Sequence, residues 1–563
     1  MLITVENGIF VAISTFEEKD LLKFAGFWWD SKLKRWWTND VNKALQLKDF
    51  FDYRANNYIQ QIEERKKKSL EDSSRTTSDF QVPLPSGIEF YPFQRAGVEF
   101  LTTYGNVMVG DEQRLGKMWQ TLGYMNVKRP DNVLVVCPAS VKAEWRSNAL
   151  KLLTRPYNIE IVSKRFPLPK LTERNLFIIN YDMLKKWKVD LKRNWDLIVF
   201  DESHKLKNRG WITTKVVDGK EVEFIRGTER TLIALQIAPY GKKVVLLTGT
   251  PAMNKPDEFF MQLKIASHPL GKSWKKFADE YLIQQYNGFG METLGYKNLD
   301  EFSRKLREGF MIRRTRDQVL PQLPPKTREI IPLELDEMNL SVEVKIRLME
   351  EKEKYESIMN GIRELDSKTA RENNNEMRQM WIDRIDQLKQ TKAELEAGEL
   401  SHSRNILASA KVPFVIKFVD DLLEEVEQVV IFGYHLNALG KLKEHYGDRA
   451  GMLTGPETLK EREEERQEFL NKEKRVMIVS IRAGNEGISF ATANVGVFVD
   501  WDWNPKVLTQ AEDRLIDITQ SSPKIYYYLA VDETVDSYMA KMRLEKERLV
   551  DSVVDGMSEI QNH

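Results

Sequence analysis

Cysteine is nearly absent from this chain: Cys137 is the only one in 563 residues. That excludes an internal disulfide and any cysteine-built zinc site. Histidine is scarce as well, with six residues and no two at metal-ligand spacing. Neither charge sign is in excess, since Lys+Arg and Asp+Glu both number 85. An overall basic, histone-like character is thereby excluded, whereas a local basic cleft is not, because sums hide distribution. No apolar run reaches the roughly 20 residues of a membrane-spanning helix. The opening MLITVENGIF lacks a basic stretch followed by an apolar one. These absences predict a soluble protein of a reducing compartment that makes no use of a membrane. What is present is 42% hydrophobic and 30% charged residues, enough for packed cores and too apolar for a disordered chain. At about 150 residues per domain the length allows three or four domains.

Short β-branched runs at Val133–Cys137, Phe177–Asn180, Leu197–Phe200 and Val244–Leu247 alternate with amphipathic stretches. The alternation restarts at Val429–Phe432, Val476–Ser480, Val495–Val499 and Ile525–Leu529. Near-continuous apolar strands separated by helices predict parallel sheets covered on both faces, here two α/β units. Residues 337–400 are highly charged with a helical pattern and read as solvated helices with paired charges, projecting from the second unit. Residues 209–230 read as a polar hairpin insertion turning at Asp218-Gly219. The first 55 residues carry Trp28, Trp29, Trp36 and Trp37, four of the 13 tryptophans. A helix running into a polar linker follows over 56–84.

Three segments carry chemistry. VMVGDEQRLGKMWQTL (107–122) is a strand, a loop with Gly116-Lys117, and a helix, which points N–H groups and a lysine at phosphate. A surface turn fits that pair equally well when it is taken alone. LIVFDESH (197–204) brings Asp201 and Glu202 to the carboxyl end of a buried strand, where ligands bind in open parallel sheets. Adjacent acids there can hold Mg²⁺ and orient water. LLTGTP (246–251) places small hydroxyl residues at another strand end.

In this order the segments resemble the Swi/Snf family of helicase-like ATPases in helicase superfamily two, over about residues 87–555. The segment Phe90–Gln94 is similar to the family's adenine-reading segment, with Gln94 reading the base. CPASVKAEW (137–145) is similar to a DNA-contacting motif, and RRTRDQVLPQLPPK (313–326) to the junction into the second lobe. IVSIRAGNEGISFATAN (478–494) and DWDWNPKVLTQAEDR (500–514) resemble the second lobe's motifs. The resemblance implies two RecA-like lobes with ATP between them, moving along duplex DNA. It makes Gly116 and Lys117 the phosphate binders, Asp201 the Mg²⁺ residue, Glu202 the activator of water and Arg514 the second lobe's arginine.

The chain departs from the family at three places. Arg114 stands where the phosphate loop has glycine, and Met118 where it has a threonine whose hydroxyl binds Mg²⁺. Methionine has no hard oxygen for that ion. Asp517 stands where the last motif has a second arginine, and Asn485-Glu486 where the fifth has Gly-Val. An arginine finger is worth about 10³–10⁵ in rate, so hydrolysis well below the family's level is expected.

FAGFWWDSKLKRWWTNDVNKALQL (24–47) alternates aromatic and basic residues around Asp30-Ser31 and Asn39-Asp40 turns. Cations beside exposed aromatics grip phosphates and stack bases. Tryptophans equally build a small core, and strand alternation sends one of each pair inward. The segment also resembles the HARP domain of annealing helicases, which makes Lys32, Lys34, Arg35, Trp36 and Trp37 the DNA-contacting residues.

Together these readings predict a HARP-like α+β domain over 1–55, helix and linker over 56–84 and a first RecA-like lobe over 85–325. A second lobe follows over 326–555, with a helical protrusion at about 337–410, then a tail over 556–563. The expected activity is an annealing-helicase-like, ATP- and Mg²⁺-dependent translocase on double-stranded and branched DNA. It would be a monomer working beside replication or repair proteins. The rivals are a weakened ATPase kept as a DNA-binding scaffold and a remodeller of protein–DNA complexes. The expected setting is the cytoplasm of a bacterial or phage-infected cell, at the nucleoid.

Overall fold

A computed structural model describes residues 1–163, 170–207, 211–217, 220–249, 256–286, 291–320, 326–371, 375–481, 489–502, 505–516 and 522–542. Asp218-Gly219, Thr250-Pro251, residues 321–325, Asn485-Glu486, Asp517 and the tail lie outside them. The chain divides into two compact units. One comprises 1–112, 116–137 and 145–315; the other comprises 113–115, 138–144 and 316–563.

The first unit holds a seven-stranded parallel sheet among the described residues. Its spatial order is Met311–Ile312, Val107–Val109, Val244–Leu247, Leu197–Phe200, Asn132–Cys137, Asn175–Asn180 and Asn158–Ile161. The central strands are buried on both faces, which is why they read as unbroken apolar runs rather than alternating ones. Their carboxyl ends align the Gly110, Asp201 and Thr248 turns along one edge. The expected insertion is present as the antiparallel pair Trp211–Val217 and Lys220–Arg226. It is pinned by Glu223, which accepts from Lys264 Nζ at 2.8 Å.

The N-terminal residues of this unit form an antiparallel sheet ordered Leu2–Glu6, Ile9–Ile13, Arg35–Thr38, Trp28–Asp30. Asn7 and Gly8 both adopt positive φ, +49° and +80°, the turn that Asn-Gly favours between twisted strands. Cross-strand partners share a face: Trp29 pairs with Trp36 and Trp28 with Trp37. The Trp29–Trp36 side carries Ile3, Phe10 and Ala12 into a core closed by Leu22, Ala44 and Ala55. The Trp28–Trp37 side faces away from that core.

One helix, Tyr53–Ser74, leaves this domain. The polar stretch after it is docked rather than free. Arg75 and Ser78 both donate to Glu99, at 3.1 and 2.7 Å, and Asn126 donates to the Pro83 carbonyl at 2.9 Å.

The second unit holds six parallel strands ordered Lys326–Leu333, Lys524–Val531, Val495–Phe498, Val429–Gly433, Val476–Ser480 and Ala450–Leu453. The charged stretch forms the helices Val342–Arg371 and Asn375–Ala397, followed by Glu399–Glu425. Their exposed faces carry ion pairs four residues apart, such as Lys368–Glu364 and Lys392–Glu396. The other face is not merely solvated: Tyr355, Ile358, Ile362, Ile385 and Leu395 are buried in a core shared with the sheet. Charge density in the sequence masked this apolar stripe. Among the described residues no helix is long and apolar enough to cross a membrane.

Candidate nucleotide and nucleic-acid sites

Lys117 opens the helix Lys117–Lys128, directly after Gly116 in the left-handed conformation. A Cβ on Gly116 would lie 2.5 Å from Gln94 Nε2, so only glycine lets the loop close on that amide. Gln94 is buried, and its Oε1 accepts from the Tyr91 N–H at 3.1 Å, capping its own helix. Lys117 Nζ donates to the loop carbonyls of Asp111 and Glu112 at 3.0 and 3.1 Å. Burial lowers the Lys117 pKa, against the opposing pull of Glu202, Asp111 and Asp201. Met118 turns its sulfur to Asn148, whose Nδ2 donates to it at 3.4 Å. It offers no oxygen toward the loop.

Asp201 and Glu202 end the strand Leu197–Phe200. Trp145 Nε1 donates to Asp201 Oδ2 at 2.8 Å, and Tyr181 OH donates to the Asp201 carbonyl at 2.7 Å. Burial raises the Asp201 pKa, and the Glu202 carboxylate beside it adds to the rise. Burial works against the Glu202 charge too, but His204 and Lys117 outweigh it and hold the pKa down. Glu202 adopts φ +51° and lies 3.1 Å from His204 Nδ1. That nitrogen also lies 3.4 Å from Thr248 Oγ1. A contact chain therefore runs from the acid pair to the strand end read as LLTGTP.

Sequence reasoning missed Trp145 as the residue that orients Asp201. It took the 137–145 segment as a DNA-contacting motif only. A tryptophan at the end of a polar helical stretch was the available signal.

In the second unit, the acids before Arg514 are neutralised by others. Glu512 takes both Nε and Nη2 of Arg328 at 2.7 Å, and Asp513 takes Lys326 at 2.6 Å and Arg316 at 3.1 Å. Arg514 is left buried, with Nη1 and Nη2 lacking a hydrogen-bond partner among the described residues. Burial, followed by the charge of Arg114, lowers its pKa to about 9. Two buried guanidinium donors suit an anionic ligand. Arg114, which groups with this unit, adopts φ +68° and donates Nε to the Asp513 carbonyl at 3.1 Å. The position read as a lost glycine thus keeps the glycine-type backbone.

The proposed DNA contacts are not all on the surface. Lys32 and Lys34 are exposed on the turn that Asp30 Oδ1 caps at 2.9 and 3.0 Å. Arg35 is ion-paired with Glu6 at 2.5 Å. Trp36 sits in the core, its ring 5.4 Å from that of Trp29. Trp28, which the sequence reading did not choose, is 63% exposed beside Lys43, and Trp37 is half-buried on the same face. Trp28 and Trp29 are both exposed, at 63% and 50%, so strand register separates only the buried Trp36 from Trp37.

Residues 93–391 match the family model of the SNF2-related domain, and residues 411–518 match the helicase conserved C-terminal domain. The chain belongs to the SNF2-related family. It is 29% identical over 479 residues to the Drosophila melanogaster "SWI/SNF-related matrix-associated actin-dependent regulator of chromatin subfamily A-like protein 1", covering 83% of this chain and 56% of the relative. It is 28% identical over 491 residues to the Homo sapiens "DNA annealing helicase and endonuclease ZRANB3", covering 83% and 40%. The chain therefore spans about half the length of the curated relatives it matches. A Sulfolobus solfataricus SWI2/SNF2 ATPase core in complex with dsDNA aligns at 20% identity and TM-score 0.38, over 86% of this chain and 95% of that one.

SNF2-related membership brings ATP dependence with it. The matched relatives, from fly, frog, cattle and human, overturn the expectation of a bacterial or phage cytoplasm.

Proposed function

We propose that this SNF2-related chain is a DNA-dependent ATPase that moves on duplex DNA and acts at branched, fork-like structures in the manner of an annealing helicase. The observation that carries this reading is the grouping at the first sheet's carboxyl edge. A lysine at the helix N-terminus that follows Val107–Val109 feels the charges of the acid pair at the end of Leu197–Phe200, two strands along the sheet. In this reading Lys117 and the N–H groups after Gly116 hold the ATP phosphates, and Gln94 lies beside the loop for the base. Asp201, oriented by Trp145, holds Mg²⁺, and Glu202 takes the proton of the attacking water. Arg514 supplies the second lobe's positive charge. Lys32 and Lys34 grip a fork's phosphates, and Trp28 and Trp37 take its unstacked bases.

A second reading, a DNA-binding scaffold with weak or no hydrolysis, is favoured by Met118, which supplies sulfur where Mg²⁺ needs oxygen. One assay separates the two: ATP hydrolysis with fork, duplex and single-stranded DNA at fixed salt. The motor reading expects stimulation by fork and duplex. It also expects Glu202→Gln to lower turnover about 10²–10⁴-fold with nucleotide binding retained. Hydrolysis that neither DNA nor Glu202→Gln changes would favour the scaffold.

A further inference from the structure

Behind the phosphate loop lies a cluster that the nucleotide reading does not use. Arg314, Asp111 and Gln120 are each 0% exposed. Arg314 Nε donates to Asp111 Oδ1 at 3.0 Å, and Nη2 donates to Asp111 Oδ2 and to Gln120 Oε1, the latter at 2.9 Å. Gln120 Nε2 closes the ring by donating to Asp111 Oδ2 at 3.0 Å. The remaining nitrogen, Nη1, donates to the backbone carbonyl of Phe93 and, at 3.4 Å, to that of Arg75.

One guanidinium thus ties together four segments. They are the start of the phosphate loop, the first turn of the adenine-reading helix, the helix that follows the loop and the end of the helix from the N-terminal domain. The neighbouring backbone reinforces it. The Glu112 N–H donates to the Arg314 carbonyl at 2.9 Å, and Arg313 donates to the carbonyls of Gly110 and Ser73 at 2.8 and 3.0 Å. The chain makes room for the lock: a Cβ on Gly97 would lie 1.8 Å from Gln120 Oε1 and 3.0 Å from Arg314 Nη2.

We propose that Arg314 is a positioning residue for nucleotide. By holding Asp111, it fixes the loop carbonyls on which Lys117 rests, and by holding Phe93 it fixes the neighbour of Gln94. The distance between the phosphate-binding and base-reading halves of the site is then set by one side chain that touches neither ligand. A planar fork serving a carboxylate, an amide and two carbonyls at once is a geometry that lysine cannot reproduce. The proposal rests on the nucleotide reading above.

The test measures binding of a fluorescent, non-hydrolysable ATP analogue to the full chain, well below the melting temperature of each variant. Arg314→Lys is expected to weaken binding about tenfold or more. Gln120→Met leaves the ion pair and removes the bridge, and is expected to weaken binding about threefold. Duplex DNA affinity without nucleotide should stay at the wild-type value for both. A purely structural cluster would lower the melting temperature and leave affinity untouched, which would overturn the proposal. If Arg314→Lys does not fold, Gln120→Met decides. If neither folds, the cluster is a folding element and the proposal fails. Absence of nucleotide binding by the wild type would overturn the nucleotide reading as well, whereas binding by wild type and variants alike would overturn this proposal alone.

Discussion

Lys117 in the first unit donates to carbonyls of its own loop, whereas Arg514 in the second is buried with no hydrogen-bond partner for either terminal nitrogen among the described residues. The difference follows from the two cations. A compact ammonium on a flexible stem can fold back on backbone oxygen, but a planar guanidinium needs partners in a fixed fork. Around Arg514 the natural partners, Glu512 and Asp513, are already taken by Arg328, Lys326 and Arg316. The lysine of the first unit thus rests on its own loop, while the second unit buries a guanidinium whose acidic neighbours are paired with other cations.

The contrast breaks most directly on paired substitutions. Arg514→Met should raise stability, on the order of 3 kcal/mol, because it removes a charge whose burial lowers its pKa to about 9. The same change should cost roughly 10³ in any turnover. Lys117→Met should abolish nucleotide binding and lower stability by about 1–3 kcal/mol, because the loop carbonyls of Asp111 and Glu112 lose their donor. Chemical denaturation and turnover, measured side by side, check both. Equal stability effects from the two substitutions would erase the distinction.

The N-terminal tryptophans offer the same contrast of packed and bare at smaller scale. Trp36→Ala should destabilise that domain by about 3–5 kcal/mol. Trp28→Ala should leave stability alone and cost about 1–3 kcal/mol of fork affinity. Thermal melts and fork binding at fixed salt distinguish them. Fork affinity that ignores Trp28 would leave the open sheet face without a role.

The smallest expected effect lies at Arg114. Its left-handed backbone costs a non-glycine residue about 1 kcal/mol. Arg114→Gly should therefore be neutral or slightly stabilising by melting temperature. Alone it should do little for turnover; combined with Met118→Thr and Asp517→Arg it should raise it, since catalytic groups act as a unit.

Strand positions were legible in the sequence because parallel strands buried on both faces are continuous apolar runs. Leu197–Phe200 and Val244–Leu247 fall where their β-branched runs place them. Lys117, Asp201 and Glu202 were legible because loop, strand end and acid pair are contiguous in the chain. What escaped was everything that long-range packing creates. Arg314 meets Asp111 across 203 positions, and Trp145 meets Asp201 across 56. Neither pairing leaves a local pattern. The faces that Trp28 and Trp36 take were not legible for a related reason, since the face of a strand residue depends on a register fixed by a partner strand.

The helix Tyr53–Ser74 runs 22 residues without glycine or proline, about 33 Å at 1.5 Å per residue. At one end Ala55 is in the N-terminal core and the Asp52 N–H donates to the Ile3 carbonyl at 2.9 Å. At the other, Asp72 accepts from Tyr104 OH at 2.8 Å, and the Ser73 and Arg75 carbonyls accept from Arg313 and Arg314. A rod clamped at both ends acts as a strut, not a tether. Its own sequence offers no hinge, so tilting the N-terminal domain by ten degrees about the far clamp displaces it by roughly 6 Å and loads the two arginines beneath the phosphate loop. A pull on the small sheet would therefore be felt as torque at the loop, with no diffusing messenger and no refolded segment in between.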